Sequence, residues 1–345
     1  MGVAFGVVVP TWGAFGDPTR IRRLILEAEA LGFASVWVGD HLLLPDYATQ
    51  LSPANWYEAV SCCLVGLGWT SRIRFGTDVL VAPYRDPRLL AKMAATADRL
   101  SGGRLTLGLG TGFLEGELRA LGVDPAERGP ITDEVLQVMR ALFESSGPVG
   151  FEGRHFAFDA VHFEPKPVQA PLPLWVGGNG RRGQRRAALL GDGWHPLFPT
   201  PEAYAEGRAA ILGLRAERGL GSTFAFSYSC PETRLVDDPR AIPKGTGYAG
   251  LEGLPPDYAY APPPPVAPDG RPLFMGTADQ LAQDLEGFVA VGVEHFVLRF
   301  WAGNPAAGVE DSIDQMRRFA AEVAPHFASG LAPGRESTQA SGPSV

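Results

Sequence analysis

Lysine is nearly missing from this chain of 345 residues: Lys92, Lys166 and Lys244 are all there is, and arginine supplies the other positive charge. Even together the basic residues fall short of the acidic ones, 30 against 38, for a net charge of −8. That balance excludes a broad nucleic-acid or anionic-membrane surface. Cysteine is equally scarce. Cys62, Cys63 and Cys230 form no even framework and no metal-ligand spacing, so a reducing cytoplasm is expected, with no metal. No apolar run nears the roughly 20 residues of a membrane span. The opening Met1–Val9 has no basic flank and stops at Pro10, so it reads as a strand and not as a signal peptide.

What the chain does have is alternation. Short apolar runs at 3–9, 35–38, 73–79, 104–109, 174–177, 193–196, 224–229 and 294–300 are separated by amphipathic segments. Asp17-Pro18 offers an N-cap and a first-turn proline, followed by Ile21, Leu24, Ile25, Ala28 and Leu31 on one face. Pro87 opens a helix expected to turn Leu90, Met93, Ala94, Ala97 and Leu100 inward, and another is expected over 131–144. Thr200-Pro201 caps a helix, and Thr277 with Gln280 forms a capping box. Eight buried, Val-rich strands alternating with helices predict an α/β fold, a (β/α)8 barrel; a doubly wound sheet is the competing architecture. One domain over 1–327 is expected. It carries a β-hairpin insertion within 145–170, a Pro- and Gly-rich excursion over 236–272, and a disordered tail over 328–345.

Four constellations carry chemistry. The run Ser35–Val38 ends on Gly39-Asp40-His41, which places ionisable groups where barrels keep their active sites, and His41 can exchange a proton near neutral pH. Asp78, with Val79, ends the third run, and an acid inside an apolar stretch implies either a cofactor contact or a buried hydrogen-bonded carboxylate. Gly108-Leu109-Gly110-Thr111-Gly112 follows the fourth run without the spacing of a dinucleotide fingerprint; it suits close backbone approach to a flat ligand. Gly177, Gly178, Asn179 and Gly180 lead into Arg181, Arg182, Arg185 and Arg186, a strand–loop–helix start suited to a phosphate. His195 is the one other histidine placed to reach the barrel mouth.

The blocks SVWVGDHLLLP (35–45), RIRFGTDVLVAPYRDPRLLAKMAATADRLSGGRLTLGLGTGFLEGELRALGV (72–123), FEPKPVQAPLPLWVGG (163–178) and GDGWHPL (191–197) resemble the luciferase-like monooxygenase superfamily, and within it the branch of F420-dependent oxidoreductases. The resemblance covers about two-thirds of the chain. It implies a deazaflavin or flavin ring over the carboxyl ends of the barrel strands. Asp40 and His41 would lie beside the ring, with Asp40 orienting it or tuning His41. Asp78-Val79 would form a bulge with a non-proline cis peptide under the ring. Thr111 and Gly112 would lie near the ring or ribityl chain, and Gly177, Gly178 and Asn179 near the phosphate. Phe113 replaces the acid of the family's sugar-phosphate dehydrogenases, which argues against that substrate class. The implied activity is F420-dependent hydride transfer to or from a small organic substrate, with His41 as proton donor or acceptor. The alternatives are an FMN-dependent monooxygenase on the same scaffold and a non-catalytic flavin-binding protein. The family implies a homodimer.

Overall fold

The computed structural model describes residues 2–49, 52–221, 223–242, 265–301 and 308–327. Eight parallel strands close into a barrel: β1 (Ala4–Val8), β2 (Ser35–Val38), β3 (Arg74–Thr77, resuming at Leu80–Val81), β4 (Leu105–Gly110), β5 (Leu174–Gly177), β6 (Gly193–His195), β7 (Ala225–Glu232) and β8 (His295–Arg299). Consecutive strands pair in order, and β8 returns to β1 through Phe5 and Phe296. The expected third run is not continuous. It breaks at Asp78-Val79, a non-proline cis peptide, and only then resumes against Leu109 and Gly110 of β4.

Helices α1 (Pro18–Ala30), α2 (Ala59–Trp69), α3 (Pro87–Ser101), α4 (Glu115–Ala120), α5 (Arg128–Glu144), α6 (Arg181–Leu190), α7 (Pro201–Glu217), α8 (Ala278–Ala290) and α9 (Gly308–Arg318) accompany the strands. Their starts follow local chemistry. Asp17 accepts from the amides of Thr19 and Arg20, Thr200 from that of Ala203, and Thr277 and Gln280 close a reciprocal capping box. Ile21, Leu24, Ile25 and Ala28 of α1 are buried as their spacing requires. On α3, Leu90, Ala94 and Ala97 are buried, whereas Leu100 is 83% exposed, because it lies on the opposite side of the helix from the buried Ala91 and Asp98.

The expected insertion is an antiparallel hairpin of Val149–Glu152 and Ala157–Val161. Of the excursion, residues 243–264 lie outside the described residues, as does the whole tail 328–345. The excursion's two ends meet in a short parallel pair, Arg234–Leu235 with Met275–Gly276. Among the described residues no helix is long and apolar enough to cross a membrane.

Two cores result. The larger fills the space between sheet and helices, and includes Val36 and Val38 of β2. The smaller lies inside the barrel, where the alternate residue Trp37 packs with Val8 and Val297. Trp37 stacks on Trp175 at 5.2 Å and on His195 at 4.8 Å. A ring of this size fits because β3 has Gly76 opposite: a Cβ there would lie 2.5 Å from the indole. His295 sits edge-on to both tryptophans and bonds Ser35 Oγ at 2.9 Å.

Burial, with His195 and Arg74 adding to it, pushes the His295 imidazole down to about 3 from an ordinary 6.5. The folded protein therefore keeps it neutral while the unfolded chain takes up a proton below 6.5. Its stabilisation is present above that value and is lost as pH falls toward about 3. His295→Gln is expected to flatten the loss of stability across this window relative to the native protein, measured by urea denaturation at several pH values.

Candidate active site

The carboxyl ends of the strands open into a cavity of about 1260 Å³ lined by Asp40, His41, Asp78, Val79, Thr111, Gly112, Gly177 to Gly180, Arg181 and His195. The separately proposed site residues thus share one space. Their roles divide differently from the order in which they occur along the chain.

At the end of β2, Asp40 does not touch His41. Its two oxygens are taken by Arg85, both at 2.7 Å, and by the Val81 amide at 2.9 Å. Arg85 also binds Glu58 at 2.6 Å, and Glu58 in turn caps α2 through the Val60 and Ser61 amides. Asp40 therefore locks the strand that follows the cis peptide onto β2 and α2. The carboxylate on His41 is Glu117 of α4, whose Oε2 meets Nδ1 at 2.8 Å. Glu117 is fully buried and also accepts from the amides of Leu42 and Leu43 and from the Tyr84 hydroxyl. Burial works to raise the Glu117 carboxyl, but the His41 contact and the two amides outweigh it and hold it below its ordinary value. An ionised carboxylate at Nδ1 requires a proton there, which leaves Nε2 as the ring nitrogen without a partner among the described residues.

Across the barrel, Asp78 is buried beneath the cavity. Burial alone would raise its carboxyl. Arg299, His195 and Ser229 together hold it far below the ordinary 3.8. His195 Nε2 meets Asp78 Oδ1 at 2.8 Å and its Nδ1 meets Ser227 Oγ at 2.7 Å, while Arg299 closes on Oδ2. His195 thus faces the cavity floor as an anchor for Asp78. The adjoining Val79 side chain fills the space left by glycines on the neighbouring strands: a Cβ on Gly110 would come within 2.6 Å of it, and one on Gly177 within 3.3 Å. Thr111 makes only a long contact, 3.4 Å, to the Gly112 carbonyl.

The far end of the cavity is the start of α6. Gly180 is its N-cap and supplies no side-chain cap, so the first-turn amides stay open. Gly178 and Gly183 let helix and loop approach closely: a Cβ on Gly183 would sit 2.9 Å from the Gly178 carbonyl oxygen. Asn179 is turned away, its amide exchanging bonds with both backbone groups of Leu197 at 2.6 and 2.9 Å. Arg186 is paired with Asp133, whereas Arg181, Arg182 and Arg185 form no ion pair among the described residues. Cations on a first turn oppose the helix dipole, and an anion would relieve both. The cavity continues past this turn between α5 and α6 to Leu189 and Leu190.

Glu117 and Arg299 carry no local mark in the sequence. The first stands in the block LEGELRA beside an equally acidic Glu115, and nothing local tells which of the two is buried.

The profile of the luciferase-like monooxygenase family matches residues 3–237. A phthiodiolone/phenolphthiodiolone dimycocerosates ketoreductase of Mycobacterium bovis is 30% identical over 236 residues, 63% of this chain and 62% of that protein. Among solved structures, an F420-dependent secondary alcohol dehydrogenase in complex with an F420–acetone adduct superposes with a TM-score of 0.77 at 23% identity. That match covers 94% of this chain and 99% of the other. The FMN-bound oxygenating constituent of 3,6-diketocamphane monooxygenase from Pseudomonas putida gives 0.72 at 16% identity, covering 95% and 99%. At these identities the structures share the fold.

Removing the Glu117 carboxylate strands the Leu42 and Leu43 amides and His41 Nδ1 together. Glu117→Ala is expected to destabilise the protein by about 1–3 kcal/mol, the cost of buried donors left unpaired, read as a lowered thermal midpoint.

Proposed function

The chain belongs to the luciferase-like monooxygenase family, and on that footing we propose that it is an F420-dependent oxidoreductase, moving a hydride between the deazaflavin and a small organic substrate. One observation carries the reading: a partnered imidazole with a free Nε2 shares a single cavity with an uncapped, arginine-rich helix start.

The residues present suit such a cofactor. Glycines at 110 and 177 let Val79 seat between β4 and β5, where it gives the cavity an apolar floor suited to a flat ring. The open amides of α6 suit its phosphate. Arg181, Arg182 and Arg185 exceed what one phosphate needs, and the cavity runs on along α6, a helix about 15 Å long at 1.5 Å per residue. Both features suit the long acidic tail of F420 better than the short one of FMN. Phosphate binding at α6 also fits FMN, so an FMN-dependent monooxygenase is the second reading.

When bound, the deazaflavin supplies the hydride donor or acceptor. The chain's own residues then handle binding and the proton. Glu117 keeps the proton on His41 Nδ1, so Nε2 takes a proton from an alcohol substrate, or, once protonated, delivers one to a carbonyl oxygen. Asp40 and Arg85 hold the loop bearing His41 against the strand beyond the cis peptide. Val79 forms the floor on which a ring would lie.

Titration of the purified protein with F420 and with FMN, followed by fluorescence, tests the cofactor. F420 is expected to bind more tightly, and combined replacement of Arg181, Arg182 and Arg185 by alanine to weaken F420 far more than FMN at low salt. Tight FMN binding with none for F420 would move the assignment to the second reading. His41→Ala is expected to keep cofactor binding and to lower turnover by about 10²–10⁴-fold. Undiminished turnover would remove His41 from proton transfer.

A further inference from the structure

The wall against which His41 works is aromatic, and its composition points to a substrate class. This step rests on the proton-transfer reading above. Trp56 lies flat on Trp12, ring centroids 4.0 Å apart at 15°, and Trp301 meets Trp12 edge-on at 5.5 Å. The pair is seated on the backbone just before the catalytic loop: a Cβ on Gly39 would lie 2.9 Å from Trp56. The His41 imidazole stands edge-to-face with Trp56 at 4.7 Å and with Phe113 at 5.9 Å. The one polar atom of the Trp56 ring is spent on Ser52 Oγ at 3.0 Å, so what it offers the cavity is π surface.

The charges at this end are all satisfied. Arg85 gives its donors to Asp40 and Glu58. Glu58 accepts two amides besides, and Glu117 accepts four donors. An anionic substrate would meet the Asp40 carboxylate at the cavity wall, while Arg128, the other cation lining this end, is already engaged by the Pro125 carbonyl at 2.8 Å and by Glu115 at 3.9 Å. A cationic one would meet Asp40, whose oxygens already accept from Arg85 and the Val81 amide. The unpaired arginines lie at α6, where the phosphate site is.

We propose that the substrate is an uncharged aryl ketone, or the corresponding aryl carbinol, with its ring stacked on Trp56 and its oxygen at His41 Nε2. In reduction the carbonyl carbon gains a hydride from the reduced deazaflavin and the oxygen gains the His41 proton, giving the carbinol. Oxidation runs the same exchange in reverse. Stacking of this kind is favourable beyond the area buried.

Calorimetric titration with acetophenone, para-acetylbenzoate, the para-trimethylammonium analogue and acetone tests the class, on cofactor-loaded and cofactor-free protein. Acetophenone is expected to bind at least about tenfold more tightly than the other three. Trp56→Leu should weaken it about two- to tenfold, and Trp56→Phe, which keeps a ring, should recover most of that loss. Circular dichroism melting verifies that both variants are folded. Equal or tighter binding of either charged analogue, or of acetone, would overturn the class, as would a folded Trp56→Leu protein with unchanged affinity. The ketone series reports on the wall and the F420 titration on the cofactor, so one reading can fall while the other stands.

Discussion

Four of the eight barrel strands are tied at one level by a single buried carboxylate. Asp78, just past β3, accepts from His195 of β6, Ser229 of β7 and Arg299 of β8. A buried charge of this kind costs several kcal/mol of desolvation and persists only where its partners are held in place, as closure of the barrel holds them here. Its consequence lies one residue further on. With Asp78 fastened below, Val79 is presented upward between the glycine backbones of β4 and β5, and the chain beyond it rejoins the sheet at Leu80. The apolar floor that Val79 makes and the approach of Arg85 to Asp40 both follow from that anchor.

Above this level the cavity is electrically divided. At the His41 end the ionisable groups are paired to saturation, and aromatic rings make up the wall. At the α6 end the helix amides are open and three arginines lack counter-charges among the described residues. Saturation holds the His41 imidazole in one geometry and leaves its Nε2 without a partner among the described residues. Unsatisfied positive charge, by contrast, is a receptor for an anion. The proposed cofactor would set its anionic tail on the second half and its ring on the first.

Much of the architecture was legible because it is local. Caps at Asp17, Thr200 and Thr277 depend on bonds spanning two or three residues, and strand ends at Val38, Gly177 and His195 follow from hydropathy and glycine. The cis peptide at Asp78-Val79 was implied by resemblance alone; periodicity runs straight through it. Spacing from Ala97 points Leu100 inward, yet the buried face of α3 runs through Ala91, Ala95 and Asp98 on the other side of the helix.

What the sequence determined by itself is therefore the alternating barrel and the set of positions that face its mouth. Adjacency in sequence suggested that Asp40 serves His41, yet consecutive residues at a strand end point apart. The carboxylate that serves His41 comes from 76 residues away, the guanidinium on Asp40 from 45, and the one on Asp78 from 221. Only the closed barrel decides those pairings. Ion pairs and ring contacts depend on distances of a few ångströms, and hydrophobic periodicity says which side of an element is buried without saying what it will meet there.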